Sequence, residues 1–376
     1  MNESVVILGQ GIIGLCSAWY ASQRGFEVTV IDRQPLAQNG CSFGNAGMIV
    51  PSHFVPLAAP GMVALGLKWM WNPESPFYIK PRLNGDLIGW ALKFWQAATP
   101  AHVKRSAPVL RDLNLASRAC YEELAALPQM EFGLMKKGLL MLCRTGHALE
   151  EEGEGAEKAR ALGVPAEVLD EAGTAALDPG ARFSITGSVY YPRDCHLSPD
   201  RFMAALVADC QARGVRFLTG REVTGWSREG GRLRAVQTNQ GEVEGGQFVL
   251  AGGAWSPAMV RSLRLTLPMQ AGKGYSMRLP RPVQRPKYCS LLMEARVAVT
   301  PMGDALTVGG TMEITGNDLS VNPARVRGIR KAFVQYYPAF KEADFTELPV
   351  WSGLRPCPPD GMPYLGRTRA AENLVV

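Results

Sequence analysis

The chain has 376 residues, with 47% hydrophobic, 20% charged and 8% aromatic side chains and a formal net charge of +6. That composition fits a soluble, globular protein of about two domains and excludes disorder, collagen-like repeats and a mini-protein held by disulfides. Lys and Arg are scattered rather than clustered, which speaks against a nucleic-acid partner.

Met1–Ser4 carry no basic leader or apolar core, so no secretory signal is read there. Ser4–Leu8 is a short β-branched run and predicts a buried strand. Ile12–Arg24 predicts a helix stopped by Gly25, and Glu27–Ile31 a second buried strand. Gln34–Leu67 contains no Asp, Glu, Lys or Arg. Its prolines and glycines, with Gln38, Asn39 and Asn45, argue against a membrane span and for a buried, ligand-facing loop. Residues 84–135 read as mostly helical, and Glu150–Glu157 as a solvated surface segment. Gly138–Cys143, Ser188–Tyr191, Tyr275–Leu279, Arg296–Thr300 and Ala305–Val308 read as strands of an antiparallel sheet. Pro199–Arg213 predicts a helix followed by a Val215–Leu218 strand. Gly230-Gly231 is a turn between two more strands, and Gln247–Ala251 is a buried strand. Pro323–Tyr337 predicts a helix burying Val326, Ile329, Phe333 and Tyr336, with Arg325, Arg327 and Lys331 elsewhere around it. The picture is two interleaved domains. The eight cysteines form no C-x-x-C pair, so reduced thiols and a cytoplasmic location are expected, and the four histidines show no metal-ligand spacing.

The first motif with chemical content is Gly9-Gln10-Gly11-Ile12-Ile13-Gly14, a G-x-G-x-x-G between strand and helix, with Asp32 closing the second strand. Gly9 makes the tight turn, Gly11 admits a pyrophosphate to the backbone, and Gly14 lets helix and strand approach. The helix start, at Ile12 and Ile13, offers N–H groups to phosphate, and Asp32 can accept from a ribose diol. The pattern alone leaves NAD and FAD open. Cys41–Met48 is small, uncharged and rich in backbone amides, suited to lie against a planar heterocycle.

With those segments in view, the sequence resembles the FAD-dependent D-amino acid dehydrogenases (small-subunit type), within the D-amino acid and glycine oxidase group. The likeness runs through V-I-L-G-Q-G-I-I-G-L at the start, S-F-G-N-A-G-M-I at 42–49 and A-A-P-G-M-V-A-L-G-L-K-W-M at 58–70. It continues through Y-Y-P-R-D at 190–194, L-A-G-G-A-W-S at 250–256, K-G-Y-S-M at 273–277 and V-G-G-T-M-E-I at 308–314. W-S-G-L-R-P-C-P-P-D-G-M-P-Y-L-G-R at 351–367 is its most specific piece. The resemblance implies an α/β protein with an α+β second domain: a Rossmann-like FAD-binding domain (1–52, 196–258 and 348–376) interleaved with an antiparallel-sheet substrate domain (53–195 and 259–347). It implies that Gly9, Gly11, Gly14, Asp32 and Arg33 hold diphosphate and ribose, that Ser42 lies near the diphosphate, and that Asn45, Ala46, Gly47 and Met48 lie against the isoalloxazine. Val223 would meet the adenine through its backbone, and Ala251, Gly252 and Trp255 would close over the dinucleotide. Arg355 matches an arginine that grips a substrate carboxylate, Tyr275 is a candidate on the substrate side, and the place of His53 is open. Lys273 reads as a solvated or phosphate-adjacent lysine.

The activity so implied is oxidation of D-amino acids to 2-oxo acids and ammonia by hydride transfer from Cα to flavin N5, with electrons passed to a quinone or another electron-transfer partner. The alternatives are a D-hydroxyproline dehydrogenase, a glycine/sarcosine-type oxidase, a nicotinamide-dependent dehydrogenase and a non-catalytic flavoprotein subunit. Met62, Leu65, Leu67, Trp69 and Trp71 allow peripheral attachment to the inner face of the cell membrane. Two departures from the family pattern stand out. Pro358 replaces a common Thr, and the sequence ends at Leu374-Val375-Val376, ahead of the family's T-G-H-G-type loop and final helix, which reads as a truncation.

Overall fold

The computed structural model describes residues 3–36 and 40–376; Met1 and Asn2 ahead of the first strand, and Ala37, Gln38 and Asn39 of the uncharged stretch, lie outside them. Its first layer is a five-stranded sheet, all parallel, in the order Leu374–Val375, Gln247–Leu250, Ser4–Leu8, Glu27–Ile31 and Arg216–Leu218. Strand alternation, with both faces covered, explains why the central strand is apolar from Val5 to Leu8. Val5 and Ile7 face helices Ile12–Gln23 and Pro199–Ala212, packing with Leu15, Trp19, Phe202 and Leu206. Val6 and Leu8 face the opposite way, onto Trp226, Leu233 and Leu263 beneath a three-stranded antiparallel sheet, Val223–Glu229, Arg232–Thr238 and Gly241–Glu244. Each fully buried Leu or Phe here contributes roughly 1.5–3 kcal/mol of transfer free energy.

The second layer is a nine-stranded sheet. In order it runs Val350–Cys357, Gln270–Leu279, Ala305–Ile314, Val297–Met302, Cys289–Leu292, Leu139–Cys143, Gly187–Tyr191 and Glu167–Asp170, with Phe77–Ile79 alongside Ala305–Ile314. It is not purely antiparallel as the strand pattern predicts. Cys289–Leu292 runs parallel to Leu139–Cys143, and Phe77–Ile79 parallel to Ala305–Ile314. Both pairs join segments far apart in sequence, whose mutual direction no local pattern encodes. Val350–Cys357 also pairs here, with Gln270–Leu279, so after the second layer the chain returns to the parallel sheet only at Leu374–Val375.

Helix Pro323–Tyr336 covers one face of this sheet. Asn322 caps it, accepting from the Ala324 N–H, and Val326, Ile329, Phe333 and Tyr336 point into the core. Arg325, which the sequence places off that apolar face, is buried as well, because Glu313 and the carbonyls of Asn72 and Ser75 receive its guanidinium. Glu150–Glu157 lies within the Gly146–Ala161 helix, mostly solvated but with Ala156 buried. The 84–135 region forms helices Gly85–Ala97 and Pro100–Ala125, and residues 126–135 are irregular. The eight cysteines are free. No helix among the described residues is long and apolar enough to cross a membrane.

Candidate functional site

A cavity of about 1700 Å³ opens where the parallel strands end, between them and the Val350–Cys357 strand of the second sheet. Open parallel sheets leave their ligand crevice at the carboxyl ends of the strands, and that is where this one lies. Gly9–Ile13 follows the first strand, Asp32 the second and Ala251–Trp255 the Gln247–Leu250 strand, and all of them line it.

The glycine turn is shaped by close approach of backbone to backbone. Gly9 has φ 111°, and a Cβ there would stand 2.4 Å from the Ala251 carbonyl oxygen. A Cβ on Gly14 would fall 1.8 Å from the Gly9 carbonyl oxygen, so helix and turn touch only because both residues are glycine. The first helical turn carries no acidic residue, leaving its positive end open to an anion, and Ser42 Oγ accepts from the Ile12 N–H at 3.0 Å. Asp32 is held by two charge-assisted bonds, accepting from Gln10 N–H at 2.9 Å and Gln34 N–H at 2.8 Å, with lone pairs to spare for a diol. The Arg33 guanidinium stacks 4.5 Å from the Trp255 ring centroid at the rim.

The Ser42–Met48 segment is pinned from three directions. Asn45 Oδ1 accepts from Gly47 N–H at 2.8 Å, and Gly47, at φ 68°, lies against the Leu197 carbonyl. Ser276 Oγ donates to the Gly44 carbonyl at 2.9 Å, and Gly44 lies flat against the Trp351 indole, where a Cβ would meet the ring at 2.2 Å. Met48 and Ile49 pair with His196 and Cys195. The Cys41 thiol faces the same cavity; burial raises its pKa, and the nearby Arg355 charge partly offsets that.

Arg355 projects into the cavity from the second sheet, and its Nη1 donates to the Thr311 carbonyl at 2.9 Å. Thus Gly9, Gly11, Ile12, Ile13, Asp32, Arg33, Ser42, Asn45, Gly47, Met48, Val223, Ala251, Gly252, Trp255 and Arg355 share one wall-to-wall cavity. Gly14 and Ala46 lie behind that lining. Among the described residues its carboxylates are Asp32 and Glu222, both on the side of the parallel sheet, and its lining holds no histidine. No three His, Cys, Asp or Glu side chains converge in a metal-binding group among the described residues.

Two expected substrate-side residues stand elsewhere. Tyr275 is buried in the core under helix Pro323–Tyr336, where its hydroxyl donates to Glu313 Oε2 at 2.5 Å and accepts from Asn322 N–H at 3.2 Å. Burial and the adjoining carboxylate push its phenol further up from the ordinary tyrosine range. The reason is strand alternation: Tyr275 and Met277 face the helix layer, while the intervening Ser276 reaches Gly44. Lys273 shares Tyr275's side. Rather than being solvated or beside a phosphate, it is 2% exposed and bonded to Asp318 and the Ser320 carbonyl. His53 is exposed outside the cavity, with Ser52 Oγ at 3.0 Å from its Nδ1. Sequence reasoning in turn missed the part played by Trp351, Gly353 and Gly274. Glycines at alternate positions beside an aromatic and an arginine were the available signal.

The family model described as FAD dependent oxidoreductase (DAO) matches residues 4–376. A D-amino acid dehydrogenase of Methylobacterium nodulans is 35% identical over 370 residues, covering 97% of this chain and 87% of the relative. Among solved structures, glycine oxidase from Geobacillus kaustophilus superposes with a TM-score of 0.76 at 21% identity, over 100% of this chain and 88% of that one. The FAD-bound L-α-glycerophosphate oxidase of Mycoplasma pneumoniae gives 0.73 at 17%, over 100% and 89%.

Proposed function

The chain belongs to the family of FAD-dependent oxidoreductases, and from that premise we propose that it is a D-amino acid dehydrogenase, oxidising its substrate to a 2-oxo acid and ammonia. The observation that carries this reading is the meeting, in one cavity, of a dinucleotide-type glycine turn with a single arginine aimed in from the opposite sheet.

The residues present fit the cofactor. Gly9 and Gly14 let the turn close tightly on the Ala251 strand end and the helix, Gly11 leaves the backbone open at the cavity, Ile12 and Ile13 offer the helix start to the diphosphate, with Ser42 beside it, and Asp32 takes the ribose. Val223 is assigned to the adenine, Arg33, Ala251, Gly252 and Trp255 to the cover, and Asn45–Met48 to the ring. When bound, FAD supplies the hydride acceptor for the substrate Cα–H. Arg355 presents a planar guanidinium that takes a carboxylate in bidentate fashion and so orients Cα. Met48, Ile49, Leu319 and Trp351 line the same cavity and exclude water. Among the described residues the lining holds no histidine and its carboxylates lie on the far side, an arrangement that suits a substrate bound as the neutral amine, for which no side-chain base is required. The imino acid product hydrolyses in water.

Electrons then leave to a quinone or an electron-transfer partner. Attachment to an anionic bilayer surface is supported by Ile88, Leu92 and Trp95 at one-turn spacing on helix Gly85–Ala97, exposed together with Leu67 and Trp71 and flanked by Lys68 and Lys93. Cosedimentation with anionic vesicles, lost in Trp71→Ser/Trp95→Ser, is expected; unchanged partition refutes the attachment.

The decisive experiment is anaerobic mixing of the purified holoenzyme with D-alanine, other D-amino acids, cis-4-hydroxy-D-proline and sarcosine while flavin absorbance is followed. Bleaching by D-amino acids, and turnover with a quinone analogue without peroxide release, is expected. A colourless protein, or flavin left oxidised by every D-amino acid, overturns the reading, and peroxide release marks an oxidase instead.

A further inference from the structure

We propose that Gly274 and Thr311 are positioning residues for the Arg355 guanidinium, a reading that rests on the carboxylate role given to Arg355 above. Three adjacent strands are involved: Val350–Cys357, Gln270–Leu279 in the middle, and Ala305–Ile314. Arg355 stands opposite Gly272, and Gly353 opposite Gly274. From its own strand the Arg355 side chain crosses the middle strand at Gly274 and lands on the Thr311 carbonyl of the third. A Cβ on Gly274 would stand 2.9 Å from Nη1, 3.1 Å from Cζ and 3.1 Å from Nη2. Three such similar distances mean that the guanidinium lies flat across the glycine. Any side chain at 274 would lift it off that floor and away from Thr311.

Thr311 is the second half of the device. The pairing of the middle and third strands shifts between Lys273↔Glu313 and Tyr275↔Gly310, so Gly274 alone opposes both Thr311 and Met312, which is a β-bulge. Within it Thr311 has φ 72°, a left-handed conformation that is a genuine outlier for a β-branched residue. Such conformations persist only where their surroundings impose them, and they concentrate at functional sites. Here the bulge presents a carbonyl to an arginine two strands away, at 2.9 Å. Nη1 is thereby anchored. Nε and Nη2 have no hydrogen-bond partner among the described residues and remain for a planar carboxylate.

The test uses holoenzymes of the wild type, Gly274→Ala, Arg355→Lys, the double variant and Thr311→Gly, with flavin content and melting curves for each. Gly274→Ala is expected to raise KM for D-alanine about ten- to a hundredfold, the range for a misaligned charged hydrogen bond, with kcat within about threefold. In the Arg355→Lys background the same alanine is expected to change KM by less than about twofold, because an ammonium has no plane to lay across residue 274. Should Gly274→Ala lose flavin or cooperative melting, recovery of both in the double variant supports the collision, and failure to recover overturns it. Thr311→Gly keeps the carbonyl and relieves the backbone, so KM within about twofold of wild type is expected; a tenfold rise there overturns the role given to the backbone. An unchanged KM in Gly274→Ala, or an equal penalty in both backgrounds, also overturns the proposal. A wild-type holoenzyme inert to D-amino acids, or Arg355→Lys with unaltered KM, removes the carboxylate reading itself and with it the purpose assigned to Gly274. If Arg355→Lys raises KM while Gly274→Ala is silent, the positioning proposal falls alone.

Discussion

Asp194→Asn makes the sharpest physical prediction. Asp194 is fully buried beside the Cys195–His196 strand, where Oδ1 accepts from Ser52 N–H at 3.1 Å and Oδ2 from Ser52 Oγ at 2.5 Å. These bonds tether the chain just beyond Met48–Ile49, so the carboxyl braces a segment that faces the cavity. Burial raises its pKa from 3.8 to about 7, even though the Ser52 hydrogen bonds and the distant Arg118 charge pull the other way. The folded chain therefore holds a proton, between those two values, that the unfolded chain has released. Stability from this group is greatest below pH 3.8 and declines as pH rises towards 7. At about 1.4 kcal/mol per pKa unit, the part falling between pH 5 and 7 comes to roughly 3 kcal/mol. Asparagine reproduces the protonated acid: its oxygen accepts from Ser52 N–H, and its amide donates to Ser52 Oγ. Urea unfolding of both proteins from pH 5 to 8 should show the wild type losing roughly 3 kcal/mol relative to Asp194→Asn, with the variant the more stable at pH 8. Parallel curves, within about 0.5 kcal/mol across that range, would refute the reasoning.

Tyr275→Phe should leave KM for D-alanine within about twofold while lowering stability by about 1–3 kcal/mol, since the hydroxyl satisfies the buried Glu313 rather than a ligand; a tenfold KM increase in a protein of unchanged stability would return Tyr275 to the substrate side. Gly14→Ala forces a Cβ to within 1.8 Å of the Gly9 carbonyl oxygen, so turn and helix must separate. The purified variant should carry little flavin by absorbance and melt earlier by several degrees, whereas full flavin content would refute the account of the turn.

Much of the first layer is legible because its determinants are local. Ser4–Leu8, the glycine turn, the Ile12–Gln23 helix and Glu27–Ile31 lie within thirty residues, and the β-branched runs, helical spacing and glycines there specify strand, turn and helix without distant help. The same holds for the Asn322–Pro323 helix start and its apolar face. The opposite wall of the cavity was legible only in composition. A glycine, a tryptophan and an arginine could be seen in 351–355, but not that Trp351 lies over Gly44 and Gly353 or that Arg355 crosses Gly274.

Those facts depend on register. A one-residue step along Gln270–Leu279 exchanges Tyr275 for Ser276 against Gly44, and the bulge at Thr311 sets where the third strand resumes its pairing. Arg325 shows the same limit: nothing near it in sequence names its partners, and only Glu313, Asn72 and Ser75, brought in from two other segments, make its burial tolerable. The amino-acid order by itself thus determined the dinucleotide end, where each interaction joins near neighbours. The tertiary structure alone decided the wall that carries Arg355, because facing, register and ion pairing there are set between strands that meet only after the chain has folded.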